Sequence, residues 1–300
     1  MSATSPTTAS GNLMPIVMPA IFVFLWSTGF IGAKLGLPYA EPMTFLALRF
    51  GIVVALMLPV ALLLRAPWPK SWKEAAHIAF AGFLLHGVYL GGVFASIHHG
   101  VEAGVSALIV GVQPILVAIA AGPFLGDRVT RRQWTGLLLG LLGVVVVVWN
   151  KLTLGIGTPF GMALSVFALV GMSAGTIYQK RYCGNMDLRS GSVIQFAAST
   201  LAVSALALFL ETGEIIWHGD FVFALGWLIF VLSFGAITLL YILIKRGEAA
   251  RVSSLFFLVP PSTAVIAWFL FDETLEIAAL AGMALAMIGV ALVNLRPKST

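Results

Sequence analysis

Ten continuous apolar runs, separated by short polar breaks, make up almost the whole chain. They cover residues 13–33, 43–64, 75–97, 103–125, 134–149, 159–178, 190–210, 221–244, 252–271 and 277–295. Most approach the roughly 20 apolar residues that an α-helix needs to cross a bilayer. None alternates polar and apolar positions as a barrel strand does. The breaks leave no room for a water-soluble domain. The pattern predicts an all-α polytopic membrane protein with ten transmembrane helices.

Composition removes the competing classes. Of 300 residues, 60% are hydrophobic and 10% charged, against roughly 25% charged in an average soluble domain. That is too little polar surface for a globular protein in water, and the hydrophobicity is too high for disorder. The net charge of +5 comes with no basic run interleaved with aromatics, so no nucleic-acid partner is expected. The single cysteine, Cys183, excludes an intrachain disulfide and a Cys-based metal site. Residues 1–12 are Ser/Thr-rich, lack the basic start of a signal peptide, and are expected to form a disordered tail. Residues 297–300 form a second short tail.

Charge also sets the expected orientation. With the N-terminus inside, the inner loops and the C-tail hold Arg65, Lys70, Lys73, Arg128, Arg131, Arg132, Lys180, Arg181, Arg189, Lys245, Arg246, Arg251, Arg296 and Lys298. The outer loops hold only Lys34 and Lys151, and they collect acidic residues from Glu41 to Glu276. This bias predicts both termini in the cytoplasm.

Shifting the chain by about 147 residues aligns its halves. Residues 100–109 fall on 247–256, Pro114 on Pro261 and Phe124 on Phe271. After a one-residue gap, Asp127 falls on Glu273, Gly136 on Gly282 and Gly143 on Gly289; Lys34 falls on Lys180 and Arg49 on Gln195. The halves are residues 13–150 and 151–296. Each holds five spans, an odd number, so the second must be inserted upside down. Loop charges reverse sign between the halves, as inversion requires. Inverted repeats are a signature of secondary transporters, with the site near the midplane between them.

These residues resemble the EamA family of the drug/metabolite transporter superfamily. The resemblance is carried by Trp26-Ser27-Thr28-Gly29-Phe30, by Pro42, Phe45, Leu48 and Arg49 in a Pro-x-x-Phe-x-x-Leu-Arg pattern, and by the segment 103–127 with its copy 250–273. Within the family the chain looks most like the YddG-type exporters of aromatic amino acids. The resemblance implies a ten-helix basket in the bacterial inner membrane. Its central cavity would be lined by spans one to four and six to nine, with spans five and ten peripheral.

Candidate chemistry starts from an absence. No Asp or Glu lies in the middle of any span, and carboxylates are the usual intramembrane ion relays. This favours uniport over carboxylate-coupled antiport and counts against a membrane hydrolase. Arg49 is the only charged residue within a span; it either snorkels to cap carbonyls or anchors a substrate carboxylate. His86 and Tyr89, three residues apart on one helix face, are a candidate cavity wall or an interhelical hydrogen-bonding pair. Trp26 and Trp268 lie deep in their spans rather than in an interfacial belt. An indole N–H at that depth needs a partner, although Trp268 can equally face lipid. Tyr178 and Tyr241 are candidates for the cavity or for the belt. Gln113, Gln195, Ser27 and Thr28 are uncharged groups able to meet an amino or carboxyl group. His98 and His99 lack a third ligand for zinc, so no metal and no cofactor are expected.

Pro114 and Pro261, at equivalent mid-span positions, are expected to kink their helices and to act as hinges, freeing carbonyls for a substrate ammonium. The pairs Gly136/Gly140 and Gly282/Ala286 suggest close packing of spans five and ten. No ATP-binding Gly-rich loop is present. The expected function is export of small amphipathic metabolites, above all aromatic and other apolar amino acids, by a monomer in lipid working through alternating access. The alternatives are another metabolite class and a membrane-embedded enzyme acting on a lipid-like substrate.

Overall fold

A computed structural model describes residues 14–126, 129–153, 158–246, 252, 254–271 and 277–294. Asp127, Glu273 and both tails lie outside these residues. The described helices are α1 (Met14–Gly36), α2 (Pro42–Leu63), α3 (Trp72–His98), α4 (Ala103–Val110), α5 (Gln113–Leu125), α6 (Arg131–Thr153), α7 (Pro159–Tyr182), α8 (Leu188–Leu210), α9 (219–246), α10 (Val259–Phe271) and α11 (Ile277–Asn294). Among the described residues there is no strand, only an isolated bridge between Ala40 and Ile215. Among the described residues, seven helical stretches are long and apolar enough to cross a membrane: most of α1, all of α2, α3, α7 and α8, Ala103–Ala120 and Gly219–Leu240. Leu255–Leu270 and Leu280–Val293 are apolar but shorter.

Local sequence explains where the helices begin. Ser71 accepts the Glu74 N–H, and Glu74 accepts the Lys70 N–H, a reciprocal cap at the start of α3. Thr158 caps α7 ahead of Pro159 in its first turn, where a missing N–H costs nothing.

The helices are interrupted at repeat-equivalent places. Phe83–Val88 of α3 and Leu228–Ala236 of α9 are π-helical, and the 147-residue shift carries one onto the other. Likewise the turn at 111–112 separating α4 from α5 falls beside the 3-10 turn Leu255–Leu258 that precedes α10. Pro114 and Pro261 therefore do not kink continuous helices. Each lies in the first turn of a new segment, where proline is preorganised rather than disruptive. The discontinuity is real, but it lies just before the prolines.

Packing follows the repeat. The equivalent pair α2 and α8 run antiparallel: the start of α2 meets the end of α8 through Thr44 and Glu211, while Ser190 at the start of α8 meets Pro67 just past α2. The pair α6 and α11 also run antiparallel. A Cβ on Gly136 would come within 2.6 Å of the Gly289 carbonyl, and one on Gly289 within 2.7 Å of the Gly140 nitrogen. The expected partner Gly282 is replaced by Gly289, two turns further on the same helix face. In the same symmetric way α1 packs on α9 and α10, while α7 packs on α3, α4 and α5. Phe22, Phe45, Phe50, Phe94, Phe196 and Phe221 fill the core. Leu208 and Phe209 are more than four-fifths exposed, at 84% and 86%. Outward faces of this kind suit lipid rather than water.

Candidate functional site

A small cavity of about 40 Å³ lies between the two halves, bordered by α1, α2, α3, α7 and α9. This is well below the roughly 300–1,000 Å³ of a small-molecule site, so the side chains around it nearly fill it. Its border includes Trp26, Arg49, His86 and Tyr89, four of the residues singled out by sequence, together with Phe94 and Leu232. The border is narrower than the family resemblance implied: none of the described lining residues comes from α4, α5, α8 or α10. Phe256 packs edge-on against Trp26, with centroids 5.2 Å apart, and Phe196 stacks on His86 at 4.4 Å.

The aromatic wall is built from α1 and α3. The Trp26 and Tyr89 rings lie nearly parallel, 7° apart, with centroids 6.4 Å apart. Trp26 Nε1–H donates to Tyr89 Oη at 3.2 Å, the partner that a deeply buried indole requires. Tyr89 follows directly on the π-helical turn that carries His86. Such turns often mark functional positions.

Arg49 is 2% exposed. Its Nε–H and Nη2–H both donate to Ser233 Oγ, at 3.3 and 3.1 Å, and Ser233 Oγ–H in turn donates to the Leu228 carbonyl at 3.1 Å. Its guanidinium carbon also lies 5.6 Å from the Phe50 ring centre. Among the described residues no salt bridge involves Arg49. A single neutral hydroxyl leaves most of the guanidinium fork, which carries five N–H donors, able to meet an anion.

Ser233 was not singled out by sequence reasoning, yet a signal existed. It is the repeat equivalent of His86, and Arg49 is the equivalent of Gln195. Gln195 hydrogen-bonds the His86 side chain and donates to Gln179 at 2.9 Å. Two pseudo-symmetric cross-repeat contacts thus flank the core: Arg49 with Ser233, which is charged, and Gln195 with His86.

The remaining sequence candidates lie elsewhere. Gln113 is buried between α5 and α7, donating to Thr176 Oγ1 at 3.3 Å. Tyr178 bonds His77 Nδ1 at 2.6 Å, packs on Tyr182 and Phe80, and is not part of the cavity border. Trp268 is 43% exposed and contacts Phe269 on the outer surface. The Tyr241 side chain falls outside the described residues. Pro114 and Pro261 do not line the cavity. Ser27 and Thr28 bind backbone carbonyls of their own helix, Val23 and Leu25, at 2.7 and 2.6 Å.

The comparisons place this architecture. A solved crystal structure superposes with a TM-score of 0.74 at 18% identity, over 93% of this chain and 95% of the other. The chain is 28% identical to the uncharacterized transporter YvbV of Bacillus subtilis (strain 168), over 93% of this chain and 91% of the relative. It is 24% identical to a probable amino-acid metabolite efflux pump of Escherichia coli (strain K12), over 91% and 92%. It is 23% identical to the uncharacterized inner membrane transporter YedA of the same strain, over 95% and 92%. The EamA-like transporter family matches residues 13–149 and again 159–295, one match per half, and the chain is an integral membrane transporter belonging to that family.

Proposed function

We propose that the chain is a secondary exporter of small amphipathic metabolites, most of all amino acids with aromatic or other apolar side chains, and that it belongs with the YddG-type exporters. All ten apolar helices cross the bacterial inner membrane, with both termini in the cytoplasm, as two inverted repeats over 13–150 and 151–296. The observation that carries this reading is the cavity between the halves: an aromatic wall of Trp26 and Tyr89 facing a buried Arg49. Flat apolar side chains stack on the wall, and the guanidinium takes the carboxylate. The name of the E. coli efflux pump relative points the same way. Repeat-equivalent breaks at 111–112 and 255–258, each followed by a proline, serve as hinges around which the halves rock. The protein works as a monomer in lipid.

The test is efflux of labelled phenylalanine, tryptophan, methionine and threonine from proteoliposomes, against empty liposomes, with and without a pH gradient. Faster efflux that falls on Trp26→Ala or Tyr89→Ala supports the reading. No efflux of any of the four removes it.

A further inference from the structure

The polar atoms around the cavity point to one half of an amino acid and not to the other. Arg49 contributes a cation with N–H donors beyond those used on Ser233. Tyr89 Oη accepts from Trp26 and keeps its O–H to donate. None of the described lining residues is Asp or Glu. An ammonium group would then have to find backbone carbonyls, and the helix interruptions are where carbonyls come free. At the second π-helical turn the Leu228 carbonyl already accepts the Ser233 O–H at 3.1 Å, and Ser233 is the hydroxyl that takes the Arg49 donors. The described lining therefore offers a positive charge and N–H donors, with no carboxylate to balance an ammonium.

The geometry points to a monocarboxylate with an apolar or aromatic body, lacking a free amine, as the preferred cargo: a 2-oxo acid or an N-acylated amino acid. This rests on the transporter reading above and narrows its substrate class. An ammonium that is desolvated with no facing carboxylate weakens binding, so removing it improves affinity by about tenfold or more. The charge has a second consequence. A zwitterion crosses as a neutral species, whereas a monocarboxylate crosses as an anion. A potential of 100 mV, negative inside, shifts the equilibrium distribution of a monoanion outward by about 50-fold. Export then needs no ion-coupling carboxylate, in keeping with spans that carry none in their middles.

The experiment uses the wild-type protein in proteoliposomes, with empty liposomes as the background, and follows phenylalanine, phenylpyruvate, N-acetylphenylalanine and phenethylamine. A potassium diffusion potential is set with valinomycin. The expected result is that phenylpyruvate and N-acetylphenylalanine leave faster than phenylalanine, that phenethylamine does not move, and that an inside-negative potential accelerates only the two anions. Phenylalanine moving while both anions stay at background overturns the inference and leaves the amino-acid reading standing. Anion efflux that ignores the potential also overturns it. Movement of none of the four compounds overturns both readings. In Arg49→Gln the anion efflux falls to background; because the ligand comparison uses wild-type protein, it stands even if that variant fails to fold.

Discussion

The two ends of the interface between the halves are equivalent under the repeat, yet they are built from different chemistry. At one end the α1–α2 loop meets the α8–α9 loop. Glu211, at the end of α8, accepts the Met43 and Thr44 N–H groups and the Thr44 hydroxyl, at 2.7 to 2.8 Å. Glu41, just before α2, returns the contact by accepting the Thr212 N–H and hydroxyl at 2.7 and 2.6 Å. Tyr39 O–H donates to Asp220 at 3.2 Å and its ring stacks on His218 at 4.8 Å. At the other end the α2–α3 loop meets the α7–α8 loop. The repeat equivalent of Glu41 is Asp187, which turns back onto Arg189 two residues away. The residue that ends α2 as Glu211 ends α8 is Leu64, which has no carboxylate to offer. A bond from Ser190 to the Pro67 carbonyl, an apolar patch of Ala61, Ala66 and Val193, and the close approach of α3 to α8 do the work instead. One junction is held by carboxylates reaching across to open helix-end N–H groups. The other is held by contact distance. A rocking transporter needs its two ends to open alternately, and these two will respond to different insults.

The largest expected effect is at the contact-held end. A Cβ at Gly82 would lie 2.4 Å from the Gln195 Cα, a clash of backbone with backbone that no rotamer relieves. Gly82→Ala should cost about 3 kcal/mol, read as a lower Tm in detergent, with a loss that is the same at pH 5 and pH 7. A pH-dependent loss would break the contrast between the ends.

Next comes Glu211→Gln at the carboxylate-held end. It should cost about 2 kcal/mol, because the start of α2 loses a charged cap. Hydrogen exchange should rise at Met43 and Thr44 and not at Ser190. Exchange rising at both ends would mean that the junctions are not independent.

Third is a pH effect. The Thr212 hydroxyl and N–H hold the Glu41 carboxyl below its ordinary value of 4.5. A lowered folded value means that the contribution is fully present above about pH 4.5 and is lost as the pH falls through the folded value. Acidification below pH 4.5 should therefore loosen this end, and Glu41→Gln should remove that dependence. Asp187 is also held low, by Arg189, but its bonds stay within its own loop. Asp187→Asn should leave the junction unchanged. A junction that loosens in Asp187→Asn would show that Asp187 does reach across.

The smallest effect is Ser190→Ala, which removes one hydrogen bond to the Pro67 carbonyl and should cost about 1 kcal/mol. A larger loss in thermal unfolding would mean that this contact, and not the approach at Gly82, holds the second end.

Much of this was legible in the sequence. The apolar runs locate the helices, and the charged breaks and the 147-residue shift locate the repeat. Arg49 stood out because a charge within an apolar run is costly enough to need a reason. Trp26 stood out because a buried indole N–H needs a partner, and Tyr89 because it shares a helix face with His86; the structure makes Tyr89 the partner of Trp26. Trp268 could not be oriented from sequence: a helix apolar on every side carries no periodic signal of which face is inward. Tyr178, a candidate for the cavity or the belt, bonds His77 outside the cavity border. Gly82 was invisible among 31 glycines, because only a neighbouring backbone distinguishes a glycine that must be small. The carboxylate caps were invisible too, since Glu41 and Glu211 are 170 residues apart in sequence.

The sequence by itself determined the solvent, the helices, the repeat and the chemical inventory. Hydropathy, charge bias and self-similarity are summed over many residues and survive any detail of packing. The tertiary structure decided which of those groups meet. It set Ser233 beneath Arg49 and onto the Leu228 carbonyl, and moved the helix breaks ahead of the prolines. Those outcomes depend on single distances between segments far apart in the chain, and no local pattern encodes a distance of that kind.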